Sequence, residues 1–337
     1  MLFAKSIRCM LACVVAFVSV LCFVTSTEAR DKVYTIRIGS ISAETIPEVR
    51  AAYEFKKDIE KASSGRIKVD VFPNGALGGD RQMAEAVSLG TLDMVLTTTS
   101  ALTTYEPEFG VLDMPFAFSN AESAFAAVDG ELGQYLNKKL EDSAGIINLG
   151  YMLNGVRHMV NSTHPINEPA DLEGLKMRVM ESPVYIGMFK ALGANPTPMS
   201  FTEVYTSLQQ KTIDGFEVSA NFMIEMKFYE VQKYYSLTGH TISLLAAAMN
   251  KNKFESLPDD LKSLVIDMSK KWFVDYQRSI SLKEDATYIA QLKENGMEVN
   301  SITPENHTKF VKAVQTLYSE FEEKLGTDVF TLLKKYQ

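Results

Sequence analysis

VYTIRIGSISAETIPEVRAAYEFKKDIEKASSGRIKVDVFPNGALGGDRQMAEAVSLGTLDMVL, residues 33–96, carries the pattern that decides the fold. Val33 to Gly39 alternates apolar and polar side chains and reads as a strand. Pro47 stands where a first helical residue belongs, and Val49, Ala52, Tyr53, Phe55, Ile59 and Ala62 mark one helical face until Gly65. Ile67 to Phe72 alternates again and closes in the turn Pro73-Asn74-Gly75. Asp80 is placed to cap a helix to about Leu89, stopped by Gly90, and Leu92 to Leu96 is a third strand. Strand, helix, strand, helix, strand predicts a parallel sheet with helices packed on its faces.

The same grammar returns further on. Ile146 to Met152 and Arg157 to Asn161 read as strands separated by the turn Asn154-Gly155, and Leu175 to Val179 as another, followed by a helix from Pro183 to Leu192. Phe201 to Gln210 and Asn221 to Val231 read as helices around a short strand, Asp214 to Val218. Beyond Pro258, Leu261, Leu264, Val265, Met268, Trp272, Tyr276 and Ile280 form one helical stripe that runs on past Leu292, long enough to brace two lobes at once.

At 337 residues, 46% of them hydrophobic, the chain has ample core and is no disordered or disulfide-stapled chain. Lys5 and Arg8, then the uncharged apolar run Leu11 to Val24, then Thr27-Glu28-Ala29 read as an export signal cut after Ala29. The run is short for a membrane span, which needs about 20 residues. Cys9, Cys13 and Cys22 all fall inside that signal, so the exported product is expected to have no disulfide, thiolate metal site or thiol nucleophile. The net charge of -8 disfavours nucleic acid and anionic lipid as partners.

Signatures of catalysis are missing. His158, His164, His240 and His307 have no metal-ligand spacing, and neither a phosphate-binding glycine loop nor a GxSxG elbow occurs, so no metal, cofactor or catalytic residue is expected. The informative residues are two arginines. Arg178 sits inside the predicted strand LKMRV, flanked by Met177 and Val179, and Arg157 opens a predicted strand after Asn154-Gly155. A guanidinium so placed needs an anion, because an unpaired buried charge costs several kcal/mol. The anion is either one of the chain's own carboxylates or a ligand carboxylate held by the planar fork.

IKVDVFPNGALGGDRQMAEAVSLGTLDM (67–94), LDMPFAF (112–118), GLKMRV (174–179), LGANPTPMSFTEVYTSLQQKTIDGFE (192–217) and KFYEVQKYYSLTGH (227–240) follow one another in unbroken order. Together they resemble the extracytoplasmic solute-binding proteins of tripartite ATP-independent periplasmic (TRAP) transporters, the C4-dicarboxylate-binding family. The resemblance implies that Arg178 clamps the ligand carboxylate, that Arg157 assists it, and that Phe201 packs against the solute. Glu217 falls in the family's D-G-Q-E-N-P motif, where this chain departs: Phe216 replaces the glutamine, Val218 the asparagine and Ser219 the proline. The solute is then expected to lose a polar contact and meet a more apolar wall. Thr97 to Ser100 is small and neutral where sialic-acid binders carry a glutamate and, slightly later, an arginine, which argues against sialic acid. Thr98 and Thr99, at the carboxyl end of a strand, are candidates for hydroxyl contacts or for plain strand-end capping. Glu181 is placed either to accept a hydrogen bond from the ligand or to pair with Arg157.

The resulting expectation is an α/β, two-lobed periplasmic binding protein of the type II-like fold, with a hinge and a long bracing helix. Lobe I takes 31–154 and 244–283, and lobe II takes 155–243 and 284–337. The chain is expected to be a monomer that closes over a small organic acid and delivers it to the TRAP membrane permease. The solute would be a monocarboxylate with an apolar or aromatic portion, or a hydroxy- or oxo-acid, with a dicarboxylate left open. The rival readings are a ligand sensor acting through a receptor and a periplasmic enzyme.

Overall fold

In the computed structural model, which describes residues 32–337, nine strands form one sheet. They are β1 (Tyr34–Ser40), β2 (Ile67–Phe72), β3 (Met94–Thr98), β4 (Ile146–Asn161), β5 (Lys176–Val179), β6 (Asn195–Pro198), β7 (Gly215–Val218), β8 (Tyr234–Asn250) and β9 (Glu298–Ser301). The expected export signal and its cleavage point lie outside the described residues. The strand order is β2-β1-β3-β8-β4-β7-β5-β6, with β9 on β8. β1 runs parallel to β2 and β3, and β5 runs parallel to β6 and β7. Two parallel triplets therefore flank a central antiparallel pair, β4 and β8, and each triplet meets that pair through an antiparallel contact. The fold is the two-lobed α/β architecture expected of the sequence.

The turn expected at Asn154-Gly155 is absent, and β4 runs straight through it as one 16-residue strand. Gly155 instead takes a φ of +132° at an irregularity in the register with β8. A side chain there would meet Ser219, since a Cβ would lie 2.5 Å from the Ser219 Cβ. The glycine thus absorbs a bulge rather than reversing the chain. The helix expected over 221–231 stops at Glu225, and Lys227 enters the left-handed region before a short turn of helix at Phe228–Glu230.

Strand alternation divides the apolar side chains between cores. Along β8, Leu244, Ala246 and Ala248 enter one cluster with Val95 and Leu153, while Leu245, Ala247 and Met249 enter a second with Ile36, Ile38 and Phe55. Both faces of the central pair are therefore buried, as for a strand covered by helices on both sides. A third cluster, around Phe216, Val218, Phe222 and Phe228, packs the other half of the sheet. The long C-terminal helical stretch is continuous from Asp259 to Glu294 through a π-helical segment, Lys270–Tyr276. Leu261, Val265 and Phe273 pack into the second cluster, and Tyr288 and Leu292 into the third, so the stretch braces both halves. Where it passes β4, the Gln277 side chain accepts from Leu153 N (2.9 Å) and donates to Leu153 O (2.8 Å).

Candidate functional site

The parallel triplets aim their carboxyl ends at one cleft, the location that open α/β sheets favour for ligands. Ser42 follows β1, Thr98 ends β3, Arg178 and Glu181 come from β5 and the loop after it, and Val218 ends β7. Asn154 and Arg157 reach it from β4, and Phe201 from the segment after β6. The cleft holds about 630 Å³ of empty space, part of it open to solvent.

The two arginines have different fates. Arg157 is committed inside the protein: its Nε and Nη2 donate to the two carboxylate oxygens of Glu217, and Nη2 also donates to the Glu217 carbonyl at 2.8 Å. Both side chains are buried, and His240 Nε2 stands 3.5 Å from the same carboxylate. Burial alone would raise the Glu217 carboxyl, but the Arg157 charge and the contact with His240 hold it below the ordinary carboxylate range. The same pairing overrides burial at Arg157 and raises its pKa.

Arg178 has no such partner. Its Nε and Nη2 both donate to the Met199 carbonyl, at 2.9 and 2.7 Å, and its Nη1 is buried without any hydrogen-bond partner among the described residues. Its guanidinium carbon stands 5.6 Å from the centre of the Phe201 ring. Burial, with Arg157 adding repulsion, outweighs the attraction of Glu217 and pulls the Arg178 pKa down to about 10. The group remains a cation near neutral pH, but one whose charge the protein's own groups compensate poorly.

Six of the nine expected residues line this cleft: Arg178, Arg157, Phe201, Val218, Thr98 and Glu181. Three do not. Phe216 points away into the third core, its ring 4.7 Å from that of Phe228, because its side chain is fully buried among apolar neighbours. Thr99, the first residue of the short helix Thr99–Leu102, is buried and donates its hydroxyl to the Leu244 carbonyl of β8 at 3.4 Å instead of lining the cleft. Glu217 stands behind the wall and holds Arg157. Glu181 does not pair with Arg157; it meets Arg81 Nη1 at 3.3 Å.

Other cleft residues escaped the sequence reading. Asp80 is not a helix cap, since Gly79 occupies that position. The Asp80 carboxylate instead accepts from Thr97 Oγ1 at 2.5 Å and faces the cleft, and burial raises its pKa despite that bond and the attraction of Arg178. Asn154 donates to Ser243 Oγ at 3.1 Å, while its Oδ1 is buried without a partner. Ser42, Ser100 and Ser200 add hydroxyls. Their signal was positional: Ser42 and Ser100 follow strands whose carboxyl ends meet at the cleft. No group of residues suited to holding a metal ion occurs among the described residues.

Residues 38–324 match the family model of the bacterial extracellular solute-binding proteins, family 7 (DctP). A solute-binding protein of Verminephrobacter eiseniae (strain EF01-2) is 38% identical over 303 residues, covering 90% of this chain and 89% of that one. Among solved structures, the sugar acid binding protein DctPAm of Advenella mimigardefordensis in complex with galactonate superposes with a TM-score of 0.87 at 34% identity, covering 91% of this chain and 99% of that one. A TRAP periplasmic solute-binding protein of Polaromonas sp. JS666 bound to D-erythronate gives 0.84 at 36% identity, covering 89% and 98%. The chain belongs to family 7 of the bacterial extracellular solute-binding proteins, the solute-binding components of TRAP transporters. Such proteins work in the periplasm, where they hand organic acids to a membrane permease. No helix among the described residues is long and apolar enough to cross a membrane.

Proposed function

We propose that this protein captures a hydroxylated monocarboxylate of the sugar-acid class, with its carboxylate on Arg178. The observation that carries the reading is the buried Nη1 of Arg178, a charged donor without a partner at the wall of the cleft. A ligand carboxylate supplies the missing acceptor and the missing negative charge together, and a neutral analogue supplies neither. Arg157 is neutralised by Glu217, which leaves one uncompensated cation for one carboxylate. Ser42, Thr98, Ser100, Asn154, Ser200 and Asp80 offer polar groups for hydroxyls, while Phe201 and Val218 form an apolar wall for the carbon chain. The galactonate and D-erythronate held by the relatives are polyhydroxy monocarboxylates, which supports the same class.

Closure works as a rotation of two lobes, 31–154 with 244–283 against 155–243 with 284–337, about the central strands. Gly155 and Ser243, the lobe II residues at the two proposed crossing points, are register partners on β4 and β8, so both crossings fall at one level of the sheet. Hinged strands absorb such a rotation without breaking either core. The protein acts as a monomer without nucleic acid, binds without chemical turnover, and reaches the periplasm by cleavage after Ala29. Calorimetry with D-galactonate, D-erythronate, unsubstituted monocarboxylates, dicarboxylates and neutral sugars tests the ligand class. Binding confined to hydroxylated monocarboxylates is expected, and binding of neutral sugars alone would overturn it.

A further inference from the structure

Arg81 and Glu181 form an ion pair that the solute-capture reading does not use. Arg81 is the second residue of the helix Asp80–Ser88, in the first half of the fold, and Glu181 follows β5 in the second half, three residues after Arg178. Both line the ligand cleft, and both also line the groove immediately outside it, so the pair stands as a partition at the cleft mouth. Arg81 Nη1 lies 3.3 Å from Glu181 Oε1, and the side chains keep 43% and 34% of their exposure. An ion pair that exposed is weak and exchanges readily for another carboxylate.

We infer that Glu181 is a specificity residue: it occupies, from within the protein, the arginine that would otherwise take a second carboxylate of the solute. The inference rests on the capture of an acid by Arg178. A dicarboxylate with one end on Arg178 and the other at Arg81 has to displace Glu181, and the displaced carboxylate then stays in the same cleft as the ligand's second charge. Asp80, whose carboxylate also faces the cleft, adds to the repulsion. A monocarboxylate leaves the pair intact and keeps the mouth closed. Discrimination thus comes from a repulsive element as much as from an attractive one.

The test is calorimetric titration of wild type, Glu181→Gln and the double variant Arg81→Gln/Glu181→Gln with D-galactonate, D-galactarate (the same chain with a carboxylate at each end) and succinate. Glu181→Gln is expected to bind at least one of the two dicarboxylates about tenfold or more tighter, relative to D-galactonate, than wild type does. The double variant is expected to lose that gain, because Arg81 is its source. No gain in Glu181→Gln, or a gain that survives the loss of Arg81, overturns the inference while leaving monocarboxylate capture standing. If wild type binds dicarboxylates as tightly as D-galactonate, the specificity role falls. If none of the three proteins binds any of the acids, the capture reading falls with it.

Discussion

Replacing Arg178 by methionine separates a ligand clamp from a structural ion pair. Burial and the neighbouring Arg157 charge pull the Arg178 pKa well below the ordinary arginine range, to about 10. A cation with a depressed folded-state pKa burdens the fold at every pH below that value and is relieved only as pH rises past it. That depression costs the fold roughly 3 kcal/mol at neutral pH. Arg178→Met removes that burden. It also leaves the Met199 carbonyl without its donors, at a cost of about 1–3 kcal/mol, and gives up the contact with Phe201, worth about 0.5–1 kcal/mol. The two sides nearly cancel, so the ligand-free variant is expected within about 2 kcal/mol of wild type. Ligand response should differ sharply: wild type at a concentration 100 times Kd gains about 2.7 kcal/mol, and the variant gains nothing measurable. Denaturant titration with and without D-galactonate reads both quantities. A ligand-free variant destabilised by more than about 4 kcal/mol, or one that retains wild-type ligand stabilisation, would show that Arg178 serves the fold instead.

Glu217→Ala should behave in the opposite way, costing about 3–5 kcal/mol in urea denaturation because it strands the buried Arg157 charge, with a loss under 1 kcal/mol refuting the pairing. Burial raises both Glu48 and Asp113 to about 7, against the opposing bonds from Ser42 to Glu48 and from Ser100 and Ser182 to Asp113. These folded-state carboxyls bind protons more readily than unfolded ones, so their contribution falls as pH rises from about 4 to 7, by roughly 3–4 kcal/mol per group. Asp113→Asn should therefore be less sensitive to pH than wild type when stability at pH 5 and pH 8 is compared, and an unchanged difference would refute it. Gly155→Ala should cost at least about 2 kcal/mol in the same assay, since it combines a left-handed φ with a clash against Ser219, and a neutral result would mean that the bulge relaxes freely.

The first parallel triplet was legible to within two residues, because its first two strands alternate and each intervening helix has a glycine stop: Ile67–Phe72 is found as expected, and the strand expected at Leu92–Leu96 lies at Met94–Thr98. The central pair was not. Asn-Gly is a strong reversal signal, but the signal is local, and β8 pairs with β4 on both sides of Gly155. β8 itself, Tyr234–Asn250, went unread because its middle, Leu-Leu-Ala-Ala-Ala-Met, neither alternates in polarity nor favours strands. Those small residues are buried on both faces, and a strand without an exposed face has no polar half to reveal its period.

For the site, residue type and motif picked out both arginines, but their division of labour lies in the sheet. β7 runs antiparallel to β4 and sets Glu217 opposite Met159 at a point where the register of β4 against β8 slips between Arg157 and Met159. That placement brings Glu217 to Arg157 and not to Arg178, although Arg178 lies on the other neighbour of β7 and pairs in register with Phe216. Strand alternation then turns Phe216 into the third core. An arginine beside a carboxylate-bearing strand is therefore no evidence of a salt bridge, since the register decides which of two flanking guanidinium groups receives the charge. The remaining one, Arg178, reaches the end of its strand with a single carbonyl for company. A binding protein needs that imbalance, because a cation already neutralised within the fold has nothing left to give a ligand.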